Sequence, residues 1–97
     1  MTQEEFIIEL DKLEQEMNDR IISLSKKYAI SNKKHKIGDV VTDNIGSVLI
    51  DHWQFTRGGK KWLPENIYSG YELKKDGSIR KDKSRRSVYE HNIIEKP

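Results

Sequence analysis

The sequence predicts an α+β protein in which a long N-terminal amphipathic helix precedes a small five-stranded antiparallel β-barrel. Residues 2–28 contain neither glycine nor proline, and their apolar side chains recur at helical spacing. From residue 36 onward the pattern changes to short extended runs separated by turn residues, with no helical segment between them. We therefore divide the chain into a helix at 1–30, a linker at 31–35 and a barrel at 36–95, which together form one structural unit.

Length, composition and charge narrow the class of protein. Ninety-seven residues suffice for one ordinary domain, and Leu, Ile, Val and Phe supply about a quarter of them, which is enough for a modest core. The chain has no cysteine, which excludes disulfides and thiolate zinc sites. The net charge of +2 divides into −3 over residues 1–32 and +5 over residues 33–97. The first residues resemble neither a signal peptide nor a membrane span, so we expect a cytoplasmic protein without membrane contact.

The predicted helix begins with a capping box, because Glu5 follows Thr2 by three residues and places a carboxylate at the positive end of the helix dipole. Its apolar positions are spaced 4, 3, 4, 4, 3, 4, which corresponds to two eleven-residue repeats on a nearly straight helix. These positions form a narrow line of roughly 80° of arc, called the helix stripe below. The helix stripe consists of Phe6, Leu10, Leu13, Met17, Ile21, Leu24 and Tyr28.

The helix stripe is longer than the rest of the chain can cover. Twenty-seven helical residues extend about 40 Å, whereas a compact body of about 65 residues is only about 28 Å across. Such a stripe usually packs on the rest of its own chain, but here part of it should overhang. We therefore expect the helix stripe to contact a second copy or another protein, with Ile7 and Ile8, or Ile22, as additional contacts.

The second part of the chain divides into five extended runs separated by turns. The Asp76-Gly77 pair is a strong signal for a two-residue hairpin turn. The second run carries apolar residues on both faces, which predicts a strand that bulges or coils. Gly70 in the third run predicts a bulge or a close backbone approach. The runs are Lys36–Thr42, Ser47–Thr56, Ile67–Lys75, Ser78–Lys81 and Ser87–Tyr89.

Two glycine-containing turns carry a family resemblance. The stretch KIGDVVTDNIGSVLIDHW, residues 36–53, resembles the opening of SH3-like barrels, including the KOW-type modules of ribosomal and transcription proteins. By this resemblance, the later stretches YSGYELKKDGSIRK and SVYEHNI supply the other strands and a single-turn helix. The chain is also similar to short uncharacterised proteins of bacteria and their phages. The turn before Gly46 lacks the basic residue and the second glycine of the KOW pattern, which weakens the transfer of RNA binding from that family.

No catalytic or cofactor site is predicted. Asp51 and His52 are neighbours on a strand, so their side chains face opposite sides and cannot form a His-carboxylate pair. The sequence contains no P-loop, dinucleotide-binding glycine pattern, nucleophile elbow or Glu-x-x-His pair. A metal site built from His35, His52, His91 and Asp39 is conceivable, but their spacing gives it no support. We therefore expect a non-enzymatic protein without a cofactor or metal.

A basic segment supports an alternative function, nucleic-acid binding. Residues 57–86 hold ten bases and four acids, and Trp62 and Tyr68 lie among them as candidates for stacking on bases. Charge-rich hairpins also commonly protect a sheet edge from aggregation. The segment is therefore either a nucleic-acid-binding surface or a solvated sheet edge. Strand alternation places Ile67 and Tyr71 in the core and Tyr68 outward. The candidate nucleic-acid contacts are Arg57, Lys60, Lys61, Tyr68, Lys74, Lys75, Arg80, Lys81, Arg85 and Arg86.

Overall fold

The computed structural model describes residues 1–94 and confirms the α+β class. Neighbouring strands are antiparallel and lie in the order β1-β2-β3-β4, and a single-turn 3-10 helix follows the last strand. The predicted end of the barrel, residue 95, lies outside the described residues. The elements are α1 (Gln3–Ser31), β1 (Val40–Thr42), β2 (Ser47–Phe55), β3 (Asn66–Glu72), β4 (Arg85–Tyr89) and the 3-10 helix (Glu90–Asn92).

The prediction of a five-stranded barrel is wrong, because residues 1–94 form an open sheet of four strands. The predicted fourth run, Ser78–Lys81, makes only one isolated bridge, between Leu73 and Ile79. The residues of this run are exposed and mostly polar, so they have no apolar face that would hold them against a core. The next strand to pair with β3 begins at Arg85, two residues earlier than predicted.

The first strand is also shorter than predicted. It begins at Val40 rather than Lys36, because Gly38 adopts a positive φ of 95° and a turn precedes the strand. The Asp39 N–H donates to the Lys36 carbonyl oxygen at 3.0 Å and closes this turn. The turn therefore occupies residues that the sequence pattern assigned to a strand.

Helix α1 begins as predicted and runs three residues beyond Tyr28. The Thr2 hydroxyl accepts a hydrogen bond from the Glu5 N–H at 3.1 Å, which satisfies one of the free donors at the helix start. At the other end, the backbone N–H and the side-chain amide of Asn32 both donate to the Tyr28 carbonyl oxygen. Local hydrogen bonds therefore define both ends of the helix.

The core is small and centres on β2 and β3. A β-bulge at residue 51 shifts the register of β2, so that Trp53 lies opposite Tyr68 and joins the core face; the predicted bulge is thus confirmed. A Cβ at Gly70 would lie 1.7 Å from the Leu49 carbonyl oxygen, which confirms the predicted close approach. The buried cluster consists of Val41, Val48, Ile50, Tyr68 and Val88, with Trp53 and Ile93 packed against it.

Within residues 1–94, helix α1 joins the sheet body only through its C-terminal third. Ser25 and Ala29 are its only buried residues in the described chain. The Ser25 hydroxyl accepts from the Gly58 N–H at 2.9 Å, and the Asn66 amide donates to the Ala29 carbonyl oxygen at 3.0 Å. The molecule measures 67 × 31 × 19 Å, and its radius of gyration is 18.8 Å. A compact chain of this length would have a radius of gyration of roughly 12.5 Å, so the predicted overhang of the helix is confirmed.

Candidate protein interface on the helix and the adjoining groove

The helix stripe is exposed to solvent along its whole length. Six of its seven side chains retain between 38% and 68% of their surface, and Ile21 is half-buried. A set of this size on one face exceeds the scattered apolar residues of an ordinary surface and is typical of an interaction site. The exposed six are Phe6, Leu10, Leu13, Met17, Leu24 and Tyr28.

The line of contact between helix and sheet explains why the helix stripe stays exposed. At 3.6 residues per turn, Ser25 and Ala29 lie about 100° around the helix from the centre of the stripe. Their short side chains allow the helix backbone to approach the sheet body closely, and both hydrogen bonds to that body arise on this line. The stripe therefore meets the sheet body only along one edge.

An apolar groove of about 670 Å³, called the helix-loop groove below, lies along that edge. Leu24 and Tyr28 line its helix side, while Trp62 and Leu63 line its loop side. Both loop residues are exposed, so the walls of the groove continue the apolar surface of the helix stripe. The groove and the stripe together form one candidate interface.

Hydrogen bonds shape the loop at residues 57–64 that forms the far wall of the groove. The Gly59 N–H donates to the Trp62 carbonyl oxygen at 2.9 Å, and the Trp62 indole N–H donates to the Arg57 carbonyl oxygen at 3.2 Å. A Cβ at Gly58 would lie 2.6 Å from the Pro64 Cδ, so the loop requires glycine there. The strand pattern of the sequence does not predict this groove. The one sequence feature that indicates it is the apolar pair Trp62-Leu63 within an otherwise basic loop.

Arg86, a predicted nucleic-acid contact, is engaged within the protein. Its guanidinium donates to both carboxylate oxygens of Asp43, at 2.7 and 2.8 Å, and lies 3.1 Å from a Glu72 carboxylate oxygen. The hydrogen bonds from Arg86 lower the pKa of Asp43 from 3.8 to about 2, and the Gly46 and Ile45 N–H groups act in the same direction, whereas burial opposes the shift. This cluster leaves Arg86 poorly placed to bind a phosphate.

Arg85 is likewise engaged, although its side chain is more exposed. It donates two hydrogen bonds to the Asp51 carboxylate, and its guanidinium lies over the Tyr71 ring, 4.8 Å from the centroid. The hydrogen bonds from Arg85 lower the pKa of Asp51. A phosphate would therefore have to compete with a carboxylate for this arginine.

The other predicted basic contacts differ in their availability. Arg80 lies 3.4 Å from a Glu72 carboxylate oxygen, and the Arg57 guanidinium donates to the Gly58 carbonyl oxygen at 3.4 Å. The five lysines of the set are exposed on the surface. They are Lys60, Lys61, Lys74, Lys75 and Lys81.

The prediction that Tyr68 faces outward is wrong. Its side chain is fully buried in the core, and its hydroxyl donates to a Glu90 carboxylate oxygen at 3.1 Å. Burial, together with the neighbouring carboxylate, raises the pKa of Tyr68 to about 12. Tyr71 is only partly buried, so the two tyrosines have the reverse of their predicted positions. Tyr68 is therefore unavailable for stacking on a base.

The three histidines considered as metal ligands lie in separate places, and the fourth candidate, Asp39, accepts a hydrogen bond from the Lys36 N–H at 3.0 Å. His35 packs edge-on against Tyr68 and lies 3.7 Å from Glu90, whereas His91 is paired with Glu65. His52 is exposed on β2. Among the residues that the structure describes, no three His, Cys, Asp or Glu side chains are placed to share a metal ion.

The fold and the candidate interface define a small α+β protein with an overhanging amphipathic helix. Comparisons with protein-family models, with curated proteins and with solved structures found no match to this chain. The resemblance to SH3-like barrels therefore stays a prediction. Within residues 1–94, no helix combines the length and apolar character needed to cross a membrane.

Proposed function

We propose that this protein is a non-enzymatic interaction and assembly module that binds another protein chain through the helix stripe. The single observation that carries this proposal is the exposure of six apolar side chains along one helix face. The lack of cysteine agrees with action in the cytoplasm, where disulfides are rare. The partner can be a second copy of the same chain, and this self-association can be tested directly with the purified protein.

The energetics of the helix favour a partner. Residues 3–20 of α1 are exposed throughout, so the described part of the sheet body does not bury that part of the helix. Helices without tertiary packing are marginally stable in water, and covering the helix stripe would remove this weakness. Full burial of an apolar side chain is worth about 1.5–3 kcal/mol. Six half-exposed side chains on each of two chains can therefore outweigh an association cost of roughly 4–15 kcal/mol.

Charged substitutions in the helix stripe test this function. Leu13→Asp and Met17→Asp each place a carboxylate in the proposed interface, so we expect sedimentation equilibrium to show a loss of self-association. Ile8→Asp is the matched control. Ile8 was predicted as an additional contact, but it lies about 180° around the helix from the stripe centre, and its exposure is similar to that of Leu13 and Met17. Variants that keep the wild-type association constant would contradict the proposal.

Nucleic-acid binding is the second candidate function. The exposed lysines and the local excess of six positive charges over residues 57–86 support it. It would rely on lysines at the surface, since Arg85 and Arg86 are paired with carboxylates and Tyr68 is buried. These engagements are why we rank it below association through the helix stripe.

A further inference from the structure

We infer that the partner of the helix stripe is a second copy of this chain, paired antiparallel about Met17, whose first helical turns fill the helix-loop groove. The inference rests on the proposed function, because it names the partner and its orientation at the same interface. Three observations support it independently: the symmetry of the stripe, the charges beside it and the position of the groove.

The spacing of the helix stripe reads the same in both directions. Its intervals are 4, 3, 4, 4, 3 and 4 residues, with Met17 at the centre. Two copies crossing antiparallel at Met17 therefore place Phe6 opposite the second copy's Tyr28, and Leu10 opposite its Leu24. Leu13 then lies opposite the second copy's Ile21, so every apolar position meets another in a closed two-fold interface.

The charged residues along one edge of the stripe are also arranged to suit an antiparallel pair. At 3.6 residues per turn, Glu9, Glu16, Arg20 and Lys27 lie on the same edge, roughly 40–80° from Phe6. Residues on the same edge face each other in an antiparallel pair. Glu16 then lies beside the second copy's Arg20, and Glu9 beside its Lys27, each within about one helical turn.

A parallel pair lacks this complementarity. Residues 3–14 contain five acids and one base. Parallel helices would place these acidic segments side by side, so that like charges would face each other along the first half of the interface. Antiparallel helices instead bring each acidic segment to the basic half of the other copy.

The helix-loop groove lies where the antiparallel pairing places the N-terminal part of the second copy's helix. The stripe residues on its helix side, Leu24 and Tyr28, face Leu10 and Phe6 of the second copy in this arrangement. Ile7 of the second copy then lies on the helix edge that faces the loop wall of the first copy. It therefore extends the apolar contact to Trp62 and Leu63.

Charge also matches between the groove and its proposed occupant. The loop wall carries Arg57, Lys60 and Lys61 and no acid over residues 57–63, whereas the entering segment 3–14 has a net charge of −4. The groove is therefore an apolar channel with a basic rim, and the segment that enters it is an apolar stripe with acidic flanks.

Disulfide cross-linking tests the orientation, since the natural sequence contains no cysteine. Disulfides form when the two Cα atoms lie within about 4.4–6.8 Å. We expect Met17→Cys to cross-link to itself under mild oxidation. Leu10→Cys and Leu24→Cys should each fail to do so alone, but should form a mixed disulfide dimer when the two variants are combined and allowed to exchange subunits.

The cross-linking outcomes separate the orientation from the proposed function. Strong self-cross-linking of Leu10→Cys would indicate parallel helices and overturn the inference, while association through the stripe would stand. A wild-type protein that associates while Met17→Cys gives no product would also overturn the inference. A monomeric wild type, with no product from any variant, would overturn the inference and also the self-association form of the proposed function.

Substitution of the loop wall tests the groove. Leu63→Asp places a carboxylate in the groove outside the helix, so we expect the dissociation constant of the dimer to rise about tenfold or more. Ile45→Asp is the control, because Ile45 is a similarly exposed apolar residue in the β1-β2 turn, away from the groove. Far-ultraviolet circular dichroism verifies that both variants fold. A dissociation constant for Leu63→Asp that matches the control would overturn the inference.

Discussion

Arg86 joins three separate parts of the sheet through hydrogen bonds and ion pairs. It lies on β4, contacts Glu72 at the end of β3, and binds Asp43 in the turn after β1. Its guanidinium also donates to the Gly46 carbonyl oxygen at 3.0 Å, which fixes the far side of that turn. Since the side chains of Arg86 and Asp43 are largely shielded from water, removing one partner leaves the other charge poorly compensated.

Asp43→Asn should destabilise the protein and change its response to acid. The folded-state pKa of Asp43 is lowered from 3.8 to about 2, so this ion pair stabilises the fold above about pH 4 and its contribution is lost as the pH falls toward 2. We expect a loss of about 2–4 kcal/mol in the free energy of unfolding at pH 7, and a smaller difference from wild type at pH 2. Urea unfolding at both pH values measures this.

The control for Asp43→Asn is Asp76→Asn. Asp76 also accepts hydrogen bonds in a turn, from the backbone N–H and the hydroxyl of Ser78, but it is exposed. We expect its substitution to change the free energy of unfolding by less than about 1 kcal/mol. An equal loss for Asp43→Asn at both pH values would show that the ion pair is not the cause.

The residues of β3 show what strand alternation can and cannot predict. Gly70 is predictable in kind, because a glycine inside a strand is typical of a bulge or a close backbone approach, and the structure shows the close approach. The positions of Tyr68 and Tyr71 are not. Asn66, Ile67 and Tyr68 are all buried, so the start of this strand is covered on both faces and alternation loses its information.

Between elements, Asn66 forms the joint that connects helix and sheet. It is buried at the start of β3, where its side-chain oxygen accepts from the Trp53 indole N–H at 2.7 Å. Its amide nitrogen donates to the Ala29 carbonyl oxygen near the end of α1. One side chain therefore links the edge of the core to the helix.

Asn66→Ala should loosen the attachment of the helix more than it disturbs the sheet. The substitution leaves the Trp53 indole N–H without this acceptor, which costs about 1–3 kcal/mol. We expect hydrogen exchange to speed up at residues 25–31 more than in β2. Ser69→Ala is the control, because Ser69 only shares an exposed hydrogen bond with Ser87 on the same sheet. An equal increase in the hydrogen-exchange rates of the helix and the sheet would contradict the proposed role of Asn66.

The elements that depend on local hydrogen bonds are the ones that sequence patterns predict well. The start of α1 follows from Thr2 and Glu5, which lie within one turn of each other. The run Ser78–Lys81 fails as a strand because pairing along its length requires a neighbour to pack on, and that information is not local. The helix-loop groove is unpredictable for the same reason, because it depends on the contact between Ser25 and Gly58, which are far apart in sequence.

At the scale of the whole molecule, the elongated shape adds support to association through the exposed helix stripe. A sheet body with a small core carries a helix of 29 residues, which corresponds to about 43 Å at 1.5 Å per residue. Among the described residues, it is the C-terminal third of this helix that is attached to the sheet body. The proposed antiparallel pair would give the free part of each helix a partner and would place the two sheet bodies at opposite ends of the assembly.

The most direct test of this account is the mass of the wild-type protein in solution. Sedimentation equilibrium at tens of micromolar, at low and high salt and with or without a mixed oligonucleotide pool, should give twice the chain mass of 11.4 kDa in every condition. Burial of apolar surface supplies most of the affinity, so high salt should screen the charge pairs beside the stripe without dissociating the dimer at this concentration. The apolar interface does not require oligonucleotide. A mass of 11.4 kDa throughout, or a complex that forms only with oligonucleotide at low salt, would contradict self-association through the helix stripe.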